Sequence, residues 1–381
     1  MHIPSVKERV SDKEMARRHE AVRALMKERG IDLLLVAGNG FIGSRGYLRY
    51  LTNWQPLFSE YYLLPIEAPP VFFARHKVRA QLMRELFDID VRHPEEVARP
   101  SPPAALIAQE IKGFRPTLLG LAGLDTMNAD FFHQLMKELP NLAWTDASAI
   151  LDKVRMVKSD EEIAWVQRSA EAGERGWEVF CQHVRPGQRE ARAFAEVEYA
   201  VRLMGAVATF FMMTSDPHPV PKFLDLACDE YREGDIAFFN CELAGPGGYF
   251  TQIVRTVFLG HPSQEVVDAS RTCQAALEAG WKELRPGRRA CDIYHAIKEV
   301  ITASGLRMDL HPGHSQGLDI FERPYISPSD ITEIQPNMVI VIHPHLVTPS
   351  GVGIWMGDTF ITTEGKARRL HKAPQDLKVI R

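Results

Sequence analysis

The sequence lacks several features that would place it quickly. It has five cysteines, Cys181, Cys228, Cys241, Cys273 and Cys291, and none falls in a CxxC or metal-finger spacing. That argues against a disulfide framework or a cysteine-built zinc site and fits buried thiols in a reducing compartment. No run of about 18 uninterrupted apolar residues occurs, and the opening MHIPSVKERVSDKEMARRHE is highly charged. Neither a membrane span nor a signal peptide is expected, and the expected location is cytoplasmic. Long basic runs are also missing, and the formal net charge is -4. Nucleic-acid binding depends on neutralising phosphates, so a small-molecule substrate fits better than a nucleic-acid partner. Finally, no glycine-rich phosphate loop opens a helix in residues 1–152, which weakens a nucleotide-binding reading.

What is present suggests two domains, since 381 residues exceed one ordinary core. Residues 1–152 alternate between helix and strand, as a small α/β domain does. Residues 12–29 read as a charged amphipathic helix closed by Gly30, and IDLLLVAG follows as a buried strand. Residues 47–54 read as a second strand region, with EYYLLPI and PVFFA as two more. Helices are expected over 77–87 and over 101–111, the latter with Pro102 and Pro103 in its first turn. TLLGLAG and a helix over 129–139 complete the alternation, and the boundary falls within 144–158. Ser159 and Glu162 then form a capping box that opens the long first helix of the second domain, residues 153–381.

The second domain repeats itself. Residues 183–206 are echoed by 283–306, each a helix end, an Arg-Pro-Gly stop, a second helix and a closing glycine. Each half continues to a histidine-bearing loop, His218 in SDPHPVP and His314 in HPGHSQG, and then to an apolar strand with a polar tip, IAFFNCE or MVIVIHPH. Two α/β halves related by a pseudo-two-fold are expected, with a cleft between them. The organising stretch is 234–260, a hairpin that turns at Gly245, Pro246, Gly247 and Gly248. Alternation places Asn240 and Glu242 on one face and Cys241 on the other, with Gln252 facing the first two from the return strand. Polar side chains inside an apolar hairpin destabilise it unless something uses them.

In GDIAFFN…GYFTQIVRT, GHSQGLDIFERP, IQPNMVIVIHP and GDTFITTEG…KVIR, the chain resembles the creatinase/prolidase/methionine aminopeptidase superfamily, peptidase M24, with its pita-bread fold. Residues 1–152 resemble the N-terminal domain of creatinase and prolidase. The superfamily's metallopeptidases hold two divalent cations with two Asp, one His and two Glu. Those positions match Asn240, Gln252, His314, His343 and a residue at or next to Gly357. Two dications about 3.5 Å apart repel by about 19 kcal/mol at an effective dielectric of about 20, and carboxylates normally offset that. Amides and imidazoles do not, so no bound metal and no other cofactor is expected. Creatinase, the metal-free branch, is similar in its Asn at 240, its GHS at His314 and a loop histidine matching His218. Its guanidinium-holding carboxylates match Val254 and His343, however, and an arginine for the substrate carboxylate falls near Glu60. Creatine is therefore not the expected substrate.

The resemblance implies a metal-independent hydrolase that cleaves a C–N bond in a small nitrogen-containing metabolite. His218 would move the proton, His314 and His343 polarise the scissile group, and Glu242 act as acid/base. Asn240, Gln252, Glu322, His345, Phe58 and Glu60 would contact the substrate. Plainer readings stand beside these: His218 stabilising its turn, Glu242 pairing with Arg255 across the hairpin, Phe58 and Trp54 as core, and Asp358 capping a turn. His218, His311, His314, His343 and His345 also admit a single transition-metal site as the alternative to satisfied imidazoles. A β-elimination lyase and an inactive pita-bread binding module are the competing classes. Creatinase-like relatives further imply a homodimer in which residues 54–62 of one subunit complete the other's site.

Overall fold

Ser11 starts the first helix, Asp12–Glu28, by accepting the Glu14 amide at 3.2 Å, which satisfies one of the donors a helix start leaves unpaired. The computed structural model describes residues 8–87, 89–95, 103–221 and 229–381. Ser101, Pro102 and Cys228 lie outside the described residues. The chain divides into two units, Met1–Arg155 and Met156–Arg381.

In the first unit β1 (Leu33–Gly38), β2 (Glu60–Pro65), β3 (Val71–Phe73), β4 (Asp90–Arg92), β5 (Leu118–Ala122) and β6 (Ala143–Asp146) form one sheet. Its order is β4-β3-β2-β1-β5-β6. β1 pairs antiparallel with β2 and parallel with β5. Leu33, Leu35, Leu63, Phe73, Leu119 and Leu121 pack against Ile107 and Ile111 of helix Ala104–Phe114 and Phe131 and Leu135 of helix Ala129–Glu138. The expected strand over 47–54 is instead a helix, Gly46–Thr52, closed by Asn53 at φ 57°. Tyr and Thr favour strands, but that preference is small and context overrides it. Here Leu48, Tyr50 and Leu51 are buried and Arg18 grips the turn, donating to the Tyr50 carbonyl at 3.0 Å. The helix expected over 101–111 lies at Ala104–Phe114, with Pro103 as its N-cap.

The second unit opens with helix Asp160–His183, where Ser159 and Glu162 make the expected capping box. Helix Glu190–Leu203 returns alongside it. β7 (Ala208–Met212), β8 (Ser215–Asp216), β9 (Ile236–Ala244) and β10 (Phe250–Leu259) follow, then helices Gln264–Glu283 and Ala290–Ala303. The remaining strands are β11 (Arg307–Met308), β12 (Gly313–Ser315), β13 (Glu322–Tyr325), β14 (Val339–Ile342), β15 (His345–Val347), β16 (Gly353–Trp355), β17 (Asp358–Ile361), β18 (Arg368–Arg369) and β19 (Lys378–Ile380). They assemble into sheets β19-β10-β9-β7, β13-β12-β14-β17-β18 and β11-β15-β16.

Every residue of β9 and β10 is buried, which explains why the hairpin reads as a nearly continuous apolar run. On one face Phe239, Cys241, Leu243, Ile253 and Val257 pack beneath the first helix pair through Trp177, Phe180, Val197 and Val201. On the other, Phe238 and Val254 share a core with Ile340, Ile342 and Phe360 of the second sheet and with Leu277, Ile293 and Ile297 of the second helix pair. Each helix pair thus backs its own sheet, the duplicated α/β pita-bread arrangement. The hairpin turn needs its glycines for close approach: a Cβ on Gly245 would stand 2.6 Å from Ser169 Oγ, and one on Gly247, at φ 76°, 2.7 Å from Trp165. Among the described residues no helix is long and apolar enough to cross a membrane.

Candidate active site

The β9–β10 register sets Gln252 opposite Glu242 and Val254 opposite Asn240, so Asn240, Glu242 and Gln252 share the face turned toward the second sheet. Gln252 Nε2 donates to Asn240 Oδ1 at 2.7 Å. From the second sheet Gln316 Nε2 donates to Glu242 Oε1 at 2.6 Å. Thr359 joins the two groups: its Oγ1 accepts the Gln252 amide at 2.9 Å and lies 3.5 Å from Gln316 Oε1.

Three histidines meet this cluster because β12 runs antiparallel to β14, with Gly313 opposite Ile342. His343, one residue beyond β14, then lies level with Pro312, whose carbonyl accepts its amide at 2.8 Å. Only glycine fits at 313, where a Cβ would stand 2.2 Å from the Val341 carbonyl oxygen. As a result one ring nitrogen from each of His311, His314 and His343 lies within 4.8 Å of the others. His314 and His343 are buried and His311 is exposed. His314 Nδ1 faces the Ser315 carbonyl at 3.0 Å, which assigns it the proton and leaves Nε2 with a free lone pair. That Nε2 stands 3.8 Å from Glu242 Oε1. His343 Nδ1 is buried without a partner. Phe321 covers His314 with its ring 4.3 Å away.

Burial sets the protonation states. It pushes His314 down to about 3 against the weaker upward pull of the Ser315 carbonyl. Burial, with His311 and His314 adding to it, takes His343 well below the usual imidazole range. Burial likewise raises Glu242 well above the usual carboxylate range, and the Gln316 hydrogen bond offsets this only in part. Near neutral pH the imidazoles of the cluster are therefore neutral.

Other expected site residues lie elsewhere. His345 is buried with neither ring nitrogen partnered, packed edge-on to Phe238 and Trp355, and falls outside the three-histidine cluster. His218 is exposed; its amide donates to Asp216 Oδ1 at 2.9 Å and its ring lies beside Gly351, and it too falls outside the cluster. Glu322 is held 3.0 Å from the buried Lys158 Nζ and accepts the Asp319 amide. In the first unit Glu60 is fully buried, gripped by Arg79 at 2.7 and 2.8 Å and by Trp54 Nε1 at 2.9 Å. Phe58 lies against the Arg75 guanidinium at 3.9 Å. The carboxylates of Glu60 and Glu322, expected to contact substrate, are thus already engaged by cations. Arg255 does not reach Glu242, because odd spacing puts it on the opposite face; it pairs with Asp358 at 2.9 Å. Asp358 is no turn cap but a fully buried carboxylate, shared with His371 at 3.3 Å and with Gln375. Sequence reasoning missed Gln316 and Thr359. The available signal was parity, since Gln316 lies two residues after His314 in extended chain and Thr359 directly follows Asp358.

Metallopeptidase family M24 is matched over residues 164–364, more than half of the chain. The chain belongs to this family. The Creatinase/Prolidase N-terminal domain is matched over residues 18–157. Probable dipeptidase PepE of Mycobacterium tuberculosis is 29% identical over 237 residues, spanning 61% of this chain and 63% of its own length. Ectoine hydrolase of Halomonas elongata is 26% identical over 394 residues, spanning 96% of this chain and 97% of its own. The prolidase from Pyrococcus horikoshii shares the fold, with a TM-score of 0.84 at 20% identity over 95% of this chain and 99% of that one.

These findings overturn the expectation of a metal-independent, creatinase-like hydrolase of a non-peptide C–N bond. The family is one of metallopeptidases, and the relatives include enzymes named dipeptidase and prolidase. The lyase and inactive-module alternatives fall with it, because these relatives carry the names of hydrolytic enzymes. The family M24 chain nevertheless does not fit a carboxylate-bridged pair of ions. The amide pair at Asn240 and Gln252 leaves an N–H donor, Asn240 Nδ2, and one neutral acceptor, Gln252 Oε1, without partners. Gly357 cannot carry a carboxylate in this packing: a Cβ there would stand 2.5 Å from His343 Cβ and 2.8 Å from the Ile342 carbonyl oxygen. Its own N–H and C=O are both bonded to Val254 at 3.0 Å. The three imidazoles, by contrast, are a donor set that suits one transition-metal ion.

Proposed function

We propose that this family M24 protein is a hydrolase that cleaves the amide bond of a small, peptide-like substrate at the cluster of Glu242, Gln316, His311, His314 and His343. The observation that carries this reading is Glu242, a carboxyl 2% exposed, oriented by Gln316 at 2.6 Å and set 3.8 Å from His314 Nε2. Amide hydrolysis needs a polarised carbonyl, a water to attack its carbon and a proton for the departing amine. A carboxyl whose pKa burial raises holds its proton more readily and can pass it to the amine. Asn240 Nδ2 and Gln252 Oε1, buried without partners on the same face, offer one donor and one acceptor to orient the substrate. A divalent ion on the imidazoles would supply Lewis-acid charge stabilisation at the carbonyl. His311 and Phe321 are the exposed members of the cluster and form its approach from solvent.

The dipeptidase and prolidase names of relatives support peptides as the first substrate class. The test is a panel of dipeptides, Xaa-Pro dipeptides among them, with ectoine alongside, incubated with the zinc-loaded protein while released amine is measured. Turnover of at least one dipeptide is expected, and Glu242→Gln should lower it by about 100-fold or more. No dipeptide turnover, or a Glu242→Gln protein as active as the parent, would contradict the proposal.

A further inference from the structure

We infer that His311, His314 and His343 together bind one divalent transition-metal ion, in place of the carboxylate-bridged pair that the family implies. Among the described residues this is the only group of three or more His, Cys, Asp or Glu side chains spaced to hold an ion. Three imidazoles with a position left open are a common protein set for a catalytic zinc ion. Two features here point beyond a chance gathering of histidines. His314 donates its Nδ1 proton to the Ser315 carbonyl at 3.0 Å, the outer hydrogen bond that ordinarily fixes a ligating imidazole and turns its other nitrogen toward the ion. His343 is 3% exposed, yet its Nδ1 has no partner, and a buried polar atom without a partner is costly unless a ligand satisfies it.

The geometry requires little adjustment. Zinc–nitrogen bonds of about 2.0–2.1 Å in a tetrahedron set the nitrogens about 3.3 Å apart. Nitrogens now within 4.8 Å of one another have at most about 1.5 Å to close to reach that spacing. His311 is exposed and gives the ion a path in. The charge inventory fixes the stoichiometry. Two dications need carboxylates between them, whereas Asn240, Gln252 and Gly357 supply none, and Glu242 is already held by Gln316. Imidazole donors also select the class of ion: zinc, cobalt, nickel or copper, and not magnesium or calcium, which prefer oxygen.

Metal-stripped protein is titrated with Zn2+ by calorimetry and with Co2+ by visible absorption, both without substrate. Saturation at one ion per chain is expected, with a cobalt spectrum of a four-coordinate site that has three nitrogen ligands, and no binding of Mg2+. His314→Ala and His343→Ala should weaken Zn2+ binding by about 100-fold or more, and His311→Ala by at least about tenfold. His345→Ala, which removes a buried imidazole outside the cluster, should leave affinity unchanged. Because His311 is exposed, its variant keeps the test decisive even where the two buried replacements fail to fold. Two ions per chain, no saturable Zn2+ binding, or a His311→Ala protein of parental affinity would each overturn the inference. Binding is read apart from turnover, so inactivity toward dipeptides bears on the proposed reaction and leaves this result standing.

Discussion

On one face of β10, Arg255 reaches Asp358 at 2.9 Å and the Gly357 and Ala373 carbonyls at 2.8 Å, while His371 and Gln375 complete the shell around Asp358. On the other face Gln252 reaches the Asn240 amide, and beyond it stand three imidazoles, one of them 3.8 Å from Glu242, which is turned to Gln316. Both clusters are buried apart from His311. The first carries a cation and an anion that compensate each other, and it ties the hairpin to the second sheet. The second carries no compensating charge; it leaves Asn240 Nδ2, Gln252 Oε1 and His343 Nδ1 without partners, as the first leaves Arg255 Nε and His371 Nε2, and it differs in opening to solvent at His311. A charged residue in a motif is therefore a poor guide to chemistry here. Arg255 and Asp358 hold the frame, and Glu242 with the amides and imidazoles forms the proposed site.

Breaking the compensated side should have the largest effect. Replacing Arg255 by Met leaves Asp358 buried without its main partner and should reduce stability by about 3–5 kcal/mol, read by chemical denaturation; a loss below about 1 kcal/mol would erase the contrast. A smaller effect is expected where the two sides meet. Gly357→Ala forces a Cβ toward His343 and should destabilise by about 1–3 kcal/mol. A neutral outcome would mean that position 357 can still accept a side chain, and the steric case against a second ion would fail.

Acid should act on the first cluster too, and the direction follows from Asp358. Burial raises its pKa, but Arg255 and His371 more than offset that, so the folded value lies below the ordinary 3.8. Stability from this group is full above the unfolded value and is lost as pH falls through the lower folded one. Denaturation followed from pH 5 downward should show a fall in stability that Asp358→Asn lacks; equal slopes for the two proteins would remove Asp358 from the frame. The smallest effect is expected at His218, outside both clusters. His218→Ala should change stability by less than about 0.5 kcal/mol, checked by the same denaturation series.

Much of this contrast was legible before the structure. The hairpin announced itself through Gly245, Pro246, Gly247 and Gly248, and the two Arg-Pro-Gly stops revealed the duplicated halves. Strand parity placed Asn240, Glu242 and Gln252 together, and HPGH with IHPH supplied the histidines. Partners were not legible, because they depend on which strands become neighbours. Gln316 became Glu242's partner only through the meeting of two sheets. Glu60 looked like a substrate contact until Arg79 and Trp54 closed on it. Residues 47–54 read as strand because Tyr and Thr suit one, and burial around Arg18 made 46–52 a helix. The metal question turned on the same limit. Counting lost carboxylates spoke against two ions, but only the pairing of β12 with β14 brings three imidazoles together.

The most direct test of that convergence is anomalous diffraction at the zinc edge from crystals grown with Zn2+. The account predicts one peak in the second unit, bonded at about 2.0–2.1 Å to nitrogens of His311, His314 and His343. A pair of peaks about 3.5–4 Å apart, or none near these three side chains, would contradict it.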